Sequence, residues 1–155
     1  MKTSRLQIYF SAIIILVFSS GLFFSQNLDV HNMIGKDMNS VFNKYGKPVH
    51  QDKSNPAMHC VFYKDKLTQK VFVADKDGVY QAEGSFCFSS KSDAMSSINS
   101  LLSESKSDGY EIDTLNVSEF NVLGKGVKVN LSLFENSMSK KYEIKVKAQK
   151  SVGVR

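Results

Sequence analysis

The chain has no tryptophan, only two prolines, two cysteines and three histidines in 155 residues. It also lacks every short catalytic or nucleotide-binding signature with a known mechanism. There is no G-x-S-x-G nucleophile elbow, no H-E-x-x-H helix, no G-x4-G-K-[ST] phosphate loop and no dinucleotide fingerprint. No low-complexity segment or long polar linker divides it. Apart from residues 8–24, it contains no apolar run long enough to approach a bilayer span of about 30 Å.

That one run is the firmest signal present. Lys2 and Arg5 precede it, and it ends at small and polar residues, which is the pattern of an export signal. A run seventeen residues long lies at the short end of what crosses a bilayer, so a cleaved leader over 1–25 is favoured over an anchor. The preferred cut falls between Ser25 and Gln26, and a cut after Gly21 is the alternative. The ending Phe-Phe-Ser-Gln resembles leaders of Bacteroidetes-type Gram-negative bacteria. No Cys follows the run, so a lipid-anchored lipoprotein is not expected, and any membrane contact is through the leader before cleavage.

Loss of Lys2 and Arg5 leaves eighteen basic residues against fifteen acidic ones, a net charge of +3 where the full chain has +5. The remaining lysines alternate with acids, as in Lys64-Asp65-Lys66 and Asp75-Lys76-Asp77, and form no basic stripe. Nucleic-acid binding needs clustered positive charge to release counterions, so it is excluded as a reading. About 130 residues suit one domain that folds without staples. The expected organisation is a leader over 1–25, a flexible tail over 26–34, one domain over 35–150 and a short C-terminal tail over 151–155.

Within the domain, Asp37 caps a helix expected over 38–45. Met38, Val41, Phe42 and Tyr45 share a face of that helix, and Gly46 and Pro48 terminate it. A polar loop leads to three strands at about 58–64, 69–75 and 79–89, the last two joined by Asp75-Lys-Asp-Gly78. In the third strand Tyr80, Ala82, Gly84, Phe86 and Phe88 alternate with polar neighbours, the pattern of a sheet with one wet face. Ser90-Lys-Ser-Asp93 opens a second helix with an apolar stripe of Ala94, Met95, Ile98, Leu101 and Leu102. Extended segments follow at 110–120, at 122–134 with a turn at Gly124-Lys-Gly126, and at 142–148. The second half therefore repeats the order of elements of the first. The fold class expected is α+β, two-layered, in the order α-βββ-α-ββ(β), with both helices on one face of an antiparallel sheet.

Gly35-Lys-Asp-Met-Asn-Ser-Val-Phe-Asn-Lys-Tyr-Gly-Lys-Pro48 resembles the G-x5-V-x3-(L/Y)-G-x-P helix signature of the SmpA/OmlA family of outer-membrane assembly lipoproteins and of the similarly built β-lactamase-inhibitor proteins. Gly35, Val41, Tyr45, Gly46 and Pro48 occupy the pattern, and the likeness spans about 34–80. It implies a helix followed by a strand and hairpin, with the matched positions serving architecture. The segment 91–109 does not reproduce the glycine-bounded motif.

Candidate reactive residues are few. Met58, His59 and Cys60 suggest soft metal ligands by composition, but in a strand His59 points away from the other two. Cys60 with His50 and Asp52 is the remaining partial metal set. A nucleophilic Cys60 would need a base on its own face, which adjacent His59 cannot provide. Cys60 and Cys87 are either a disulfide or two thiols. In a simple meander their strands lie about 9.5 Å apart, beyond the roughly 7 Å reach of a disulfide. His31 reads as a surface imidazole, Asp108, Glu111 and Asp113 as solvating acids, and Gly124-Lys-Gly126 as a turn.

No catalytic, cofactor-binding or metal-binding residue is assigned, and no cofactor is implied. The function read from the chain is a non-enzymatic binding module of the cell envelope, periplasmic or extracellular, with a protein or envelope component as partner. The competing readings are a small periplasmic hydrolase using His50 or His59, and a carrier of a hydrophobic ligand lined by Phe72, Phe86, Phe88, Phe120 and Phe134.

Overall fold

Asp37 opens the first helix, α1 (Met38–Tyr45), by accepting a hydrogen bond from the Ser40 N–H at 2.8 Å on its side-chain Oδ1. Gly46, at φ +75°, ends it with its N–H bonded to the Phe42 carbonyl. These positions belong to a computed structural model of the chain that describes residues 26–151. The expected leader over 1–25 and residues 152–155 of the expected C-terminal tail lie outside the described residues. The second helix, α2 (Lys91–Ser107), starts from Ser90, whose hydroxyl oxygen accepts from the Asp93 N–H and donates back to the Asp93 carboxylate.

Eight strands complete an α+β fold: β1 (His50–Asp52), β2 (His59–Lys64), β3 (Thr68–Asp75), β4 (Gly78–Phe88), β5 (Glu111–Asn116), β6 (Glu119–Gly124), β7 (Val127–Glu135) and β8 (Tyr142–Lys150). They form one sheet in the order β1-β2-β3-β4-β8-β7-β6-β5, antiparallel throughout. Each half is a helix followed by a four-stranded meander, and the last strands of the two halves meet at the centre. The repeated order of elements seen in the sequence thus becomes a near-palindromic sheet.

Two strands beyond those expected have local causes. β1 lies in what reads as a polar loop, because three residues are too few to show a period. The single extended segment expected at 110–120 is split into β5 and β6 by an Asn-centred turn. There the Asn116 Oδ1 accepts from the Ser118 N–H at 2.8 Å and its amide donates to Glu119 at 2.7 Å. The connection of β6 to β7 is a two-residue turn with φ +50° at Lys125 and +74° at Gly126, the positive-φ pair that matches strand twist. A register shift opposite Val73 and Ala74 leaves Tyr80 unpaired, so Val79, 1% exposed, joins the core.

The core lies between the helices and one sheet face. Val61, Phe72, Ala82, Ala148, Val129 and Val122 follow one another across six neighbouring strands, each fully buried. Ala94, Ile98 and Leu101 of α2 and Val41 of α1 close on this face. At the α1 end Tyr45 stacks on Phe72 with centroids 5.1 Å apart, Tyr63 lies 5.7 Å from Tyr45, and the Tyr63 hydroxyl donates to the Gly46 carbonyl at 3.0 Å. Such ring pairs contribute about 1 kcal/mol each beyond burial.

The segment expected to be a flexible tail over 26–34 is part of this core. Residues Asp29–Met33 form a 3-10 helix over β4 and β8, and Leu28, Val30 and Met33 are buried. Val30 packs against Gly84, where an added Cβ would stand 3.2 Å from the Val30 Cγ1. Asp29 pairs with Lys44 and accepts from the Tyr45 hydroxyl, which ties the segment to α1. The reading of His31 as a surface imidazole is corrected in the same way. It is 9% exposed, edge-on to Tyr110 at 6.3 Å. Five residues with three apolar positions are too short a stretch to display amphipathic periodicity, and their burial depends on a sheet built from residues fifty and more positions away.

This packing makes two outcomes measurable. Gly78 has φ +107° and an added Cβ would lie 2.8 Å from the Lys36 carbonyl oxygen, whereas at Gly46 nothing stands within 4 Å. Both positions hold backbone angles that strain any side chain by about 1–3 kcal/mol, Gly46 at φ +75° and ψ −151° included. Gly78→Ala adds the clash, so it is expected to lower unfolding free energy by more than Gly46→Ala in chemical denaturation. The second concerns His31, which faces Asp29, Lys44, Glu104 and Asp108. Its pKa is pushed down, first by burial, with the three acids opposing and Lys44 reinforcing. The folded state thus favours neutral imidazole, and this contribution is present above the ordinary value of 6.5 and lost as the pH falls below it. Relative to wild type, His31→Phe is expected to gain in thermal midpoint as the pH drops from about 6.5 to 5. A constant difference between the two proteins across that range would refute it.

Candidate interaction face

The face of the sheet away from both helices carries its own ordered set of side chains. One row reads Asp52, Cys60, Val73, Gln81, Gln149, Lys128, Leu123 and Glu111 from β1 to β5. The next reads His50, Phe62, Val71, Glu83, Lys147, Asn130, Asn121 and Asp113. Alternation along each strand sends these residues opposite to the core residues between them. The face is zoned: apolar on β2 and β3, charged and amide-rich on β4, β8 and β7, and acidic at the β5 edge.

Its polar centre is held by short contacts. Gln81 donates to Glu83 at 2.9 Å, Glu83 lies 3.5 Å from the Lys147 ammonium, and Lys145 stands 5.0 Å over the Phe134 ring. The Glu83–Lys147 pair is about half exposed, so it orders side chains more than it stabilises the fold. An open groove of about 360 Å3 runs beside it, between Leu115, Glu119, Asn121, Asn130, Lys145 and Lys147. Leu115 is 56% exposed and Leu123 37% exposed, large apolar side chains on an otherwise polar half. Phe134, read from the sequence as part of an aromatic lining, belongs to this face. Phe72, Phe86, Phe88 and Phe120 are buried in the core.

The reactive residues singled out by sequence fall on both sides of the sheet. His59 is on the helix side, 6.1 Å from the Phe42 ring and 3.1 Å from the Gln51 amide oxygen, with its pKa pushed down by burial and then by Lys53. Cys60 is on the open side, opposite Asp52 and one step from His50, whose ring packs on Phe62 at 5.5 Å. Cys60, Asp52 and His50 therefore do share a face, yet among the described residues no three His, Cys, Asp or Glu groups converge on a possible metal position. Asp52 spends its carboxylate on the Ser54 N–H at 2.9 Å. Burial, then Asp52, pushes the Cys60 thiol up, and burial, then Glu143, does the same at Cys87. Both stay protonated thiols, the less nucleophilic form.

Cys60 and Cys87 are free. β3 separates their strands, and Cys60 is level with Gln81, six residues along β4 from Cys87. A lateral gap of about 9.5 Å and an axial one of about 20 Å place them far beyond disulfide reach. Asp108 caps the end of α2, while Glu111 and Asp113 sit on edge strand β5. Among the described residues no helix is long and apolar enough to cross a membrane.

No protein-family model and no curated protein matches the sequence. Similar solved structures include an extracellular protein containing an SCP domain from Bacillus anthracis str. Ames, with 14% identity and a TM-score of 0.45, covering 82% of this chain and 46% of that one. They also include a cysteine-rich secretory protein from Staphylococcus aureus subsp. aureus Mu50, with 8% identity and a TM-score of 0.39, covering 74% of this chain and 44% of that one. The chain spans less than half the length of either.

The two thiols lead to a direct check. Intact-mass measurement after alkylation of the folded, unreduced protein is expected to show two adducts. A mass two hydrogens lighter that takes up no reagent would contradict the register of β2, β3 and β4.

Proposed function

We propose that this chain is an exported, non-enzymatic binding module of the cell envelope, which docks a protein or another envelope component on its open sheet face. The observation that carries this reading is the face itself: eight antiparallel strands wide, with apolar, charged and acidic zones, and with both helices on the opposite side. Seven strand spacings by six or so residues give roughly 34 by 20 Å, about 700 Å2 in projection, close to the ~800 Å2 per partner of a standard protein interface. Exposed Leu115 beside Lys145 and Lys147, and exposed Leu123 opposite Lys128, supply the mixture of apolar anchor and polar rim that such interfaces use.

Export rests on the leader pattern of residues 1–25, and the likeness of about 34–80 to the SmpA/OmlA and inhibitor-protein module belongs to the same reading. The hydrolase alternative, which uses His50 or His59, draws no support from either ring: among the described residues neither is hydrogen-bonded to a carboxylate that would orient it, His50 packing on Phe62 and His59 meeting the Gln51 amide oxygen at 3.1 Å. The carrier alternative draws none from Phe72, Phe86, Phe88 and Phe120, which fill the core.

Photo-crosslinking in the native cell envelope tests the proposal. A crosslinking residue at Lys147 is expected to trap a discrete partner. Val71→Glu together with Asn130→Arg should abolish the adduct, while Ser96→Glu on the exposed side of α2 should not. An adduct that survives the sheet-face changes and disappears with the helix change would overturn the assignment.

A further inference from the structure

The two edges of the sheet differ. β1 has three residues, a short edge that offers a neighbouring chain little to pair with. β5, at the other end, has six, with no Pro, Gly or Lys among them, and Glu111, Asp113 and Thr114 are exposed. Strand register decides which of its backbone groups look outward. The Lys125-Gly126 turn makes Gly124 and Val127 a hydrogen-bonded pair, and the Leu133 N–H, donating to the Ser118 carbonyl at 2.8 Å, keeps the same alternation. Asn121 and Leu123 therefore turn their backbone groups to β5, where they meet Asp113 and Glu111. The N–H and C=O of Ile112 and Thr114 point away from the sheet, and among the described residues nothing bonds to them. This open ladder is bounded at both ends. The Tyr110 N–H is taken by the Ser105 carbonyl at 2.9 Å, and a register shift follows between Thr114 and Asn116.

Side chains decide what kind of strand the ladder suits. From Ser107 to Gly124 the chain carries Asp108, Glu111, Asp113 and Glu119 and no Lys, Arg or His, although its net charge is positive. Glu111 is separated from Lys128 by Leu123, and Asp113 from Lys147 by Asn121 and Asn130. Among the described residues neither acid is in an ion pair, and Lys125 is turned over the Tyr110 ring at 5.3 Å. In an antiparallel addition the positions opposite Glu111 and Asp113 are the non-hydrogen-bonded ones, where side chains come closest. Opposite charges stabilise such pairs and like charges destabilise them. The partner residue between them, opposite Ile112, meets a side chain packed on the core. A second copy of this chain fits poorly. Two-fold pairing centred on Ile112 sets Glu111 against Asp113, pairing centred on Asp113 sets that residue against itself, and pairing centred on Thr114 leaves the two Asp113 side chains diagonal to each other.

We propose that the outer edge of β5 binds an extended, basic segment of a partner protein as a ninth, antiparallel strand. Lys or Arg then stands opposite Glu111 and Asp113, with an apolar residue between them opposite Ile112. This edge is separate from the open sheet face and does not rest on docking there. The amides of Ile112 and Thr114 report on the edge and a crosslink at Lys147 on the face, so either reading can fail alone.

Amide hydrogen exchange of the protein, followed by NMR, tests the proposal with the peptide acetyl-Thr-Lys-Val-Arg-Val-Lys-Thr-amide at millimolar concentration. Exchange at Ile112 and Thr114 is expected to slow about tenfold, while Glu111 and Asp113, already bonded to β6, change little. The same peptide N-methylated at its valines keeps its charge but loses ladder donors, and should have no such effect. Glu111→Lys with Asp113→Lys should weaken binding of the basic peptide about tenfold or more and favour a version with Glu in place of Lys and Arg. Slowing that persists with the N-methylated peptide would mean simple charge attraction and would overturn the proposal. So would the absence of slowing at millimolar peptide. Slow exchange at Ile112 and Thr114 without peptide, deepening with protein concentration, would assign the edge to a second copy and overturn it equally.

Discussion

Eight residue pairs join β4 to β8, from Gln81 opposite Gln149 to Phe88 opposite Tyr142. Without this antiparallel seam the two halves of the chain would be separate four-stranded meanders, each with one helix and a small core. Across the seam Ala82 faces Ala148 and Gly84 faces Val146, so the middle of the sheet is nearly flat on its core side. That flatness gives Val30 and the N-terminal 3-10 helix a place to lie, and the larger Phe86 and Ile144 fill the space alongside. A two-stranded seam of small residues would be a weak contact by itself. It is held because apolar rows run through it from β2 to β6 and are covered by elements from both halves.

The same seam sets the character of the open face. Because side chains alternate, the strand that presents Ile144, Val146 and Ala148 to the core must present Lys145, Lys147 and Gln149 to the other side. Glu83 arrives opposite Lys147 through the β4–β8 register, and a shift of one residue would turn the charges of one of the two strands toward the core and part the pair. Core and open face are therefore two outcomes of one register. Breadth comes from pairing two meanders edge to edge, which gives an area no single four-stranded half would have.

Much of the architecture was legible because it has local causes. The caps at Asp37 and Ser90, the stop at Gly46 and the turns at Gly78 and Gly124-Lys-Gly126 act within a few residues of their own position. The opposed orientations of His59 and Cys60, and the separation of Cys60 from Cys87, followed from strand geometry and meander order. The elements that were missed lack a local signal. β1 has three residues and exists because β2 offers an edge. Asn116 and Ser118 do mark the turn between β5 and β6, but apolar residues on both sides make 110–120 look continuous. Phe134 reads from the sequence as part of an aromatic lining and is placed on the open face by the register of β7.

By itself the amino-acid sequence determined the α+β class, the repeated order of elements, the helix boundaries, the alternation of strand faces and the export pattern, since each depends on neighbours one to four residues apart. Only the tertiary structure decided the central seam, the burial of residues 28–33 and the setting of His31. It also decided the zoning of the open face. These arise from contacts between residues fifty to a hundred positions apart, where no short-range period carries the information and the register of one strand against another selects what is buried.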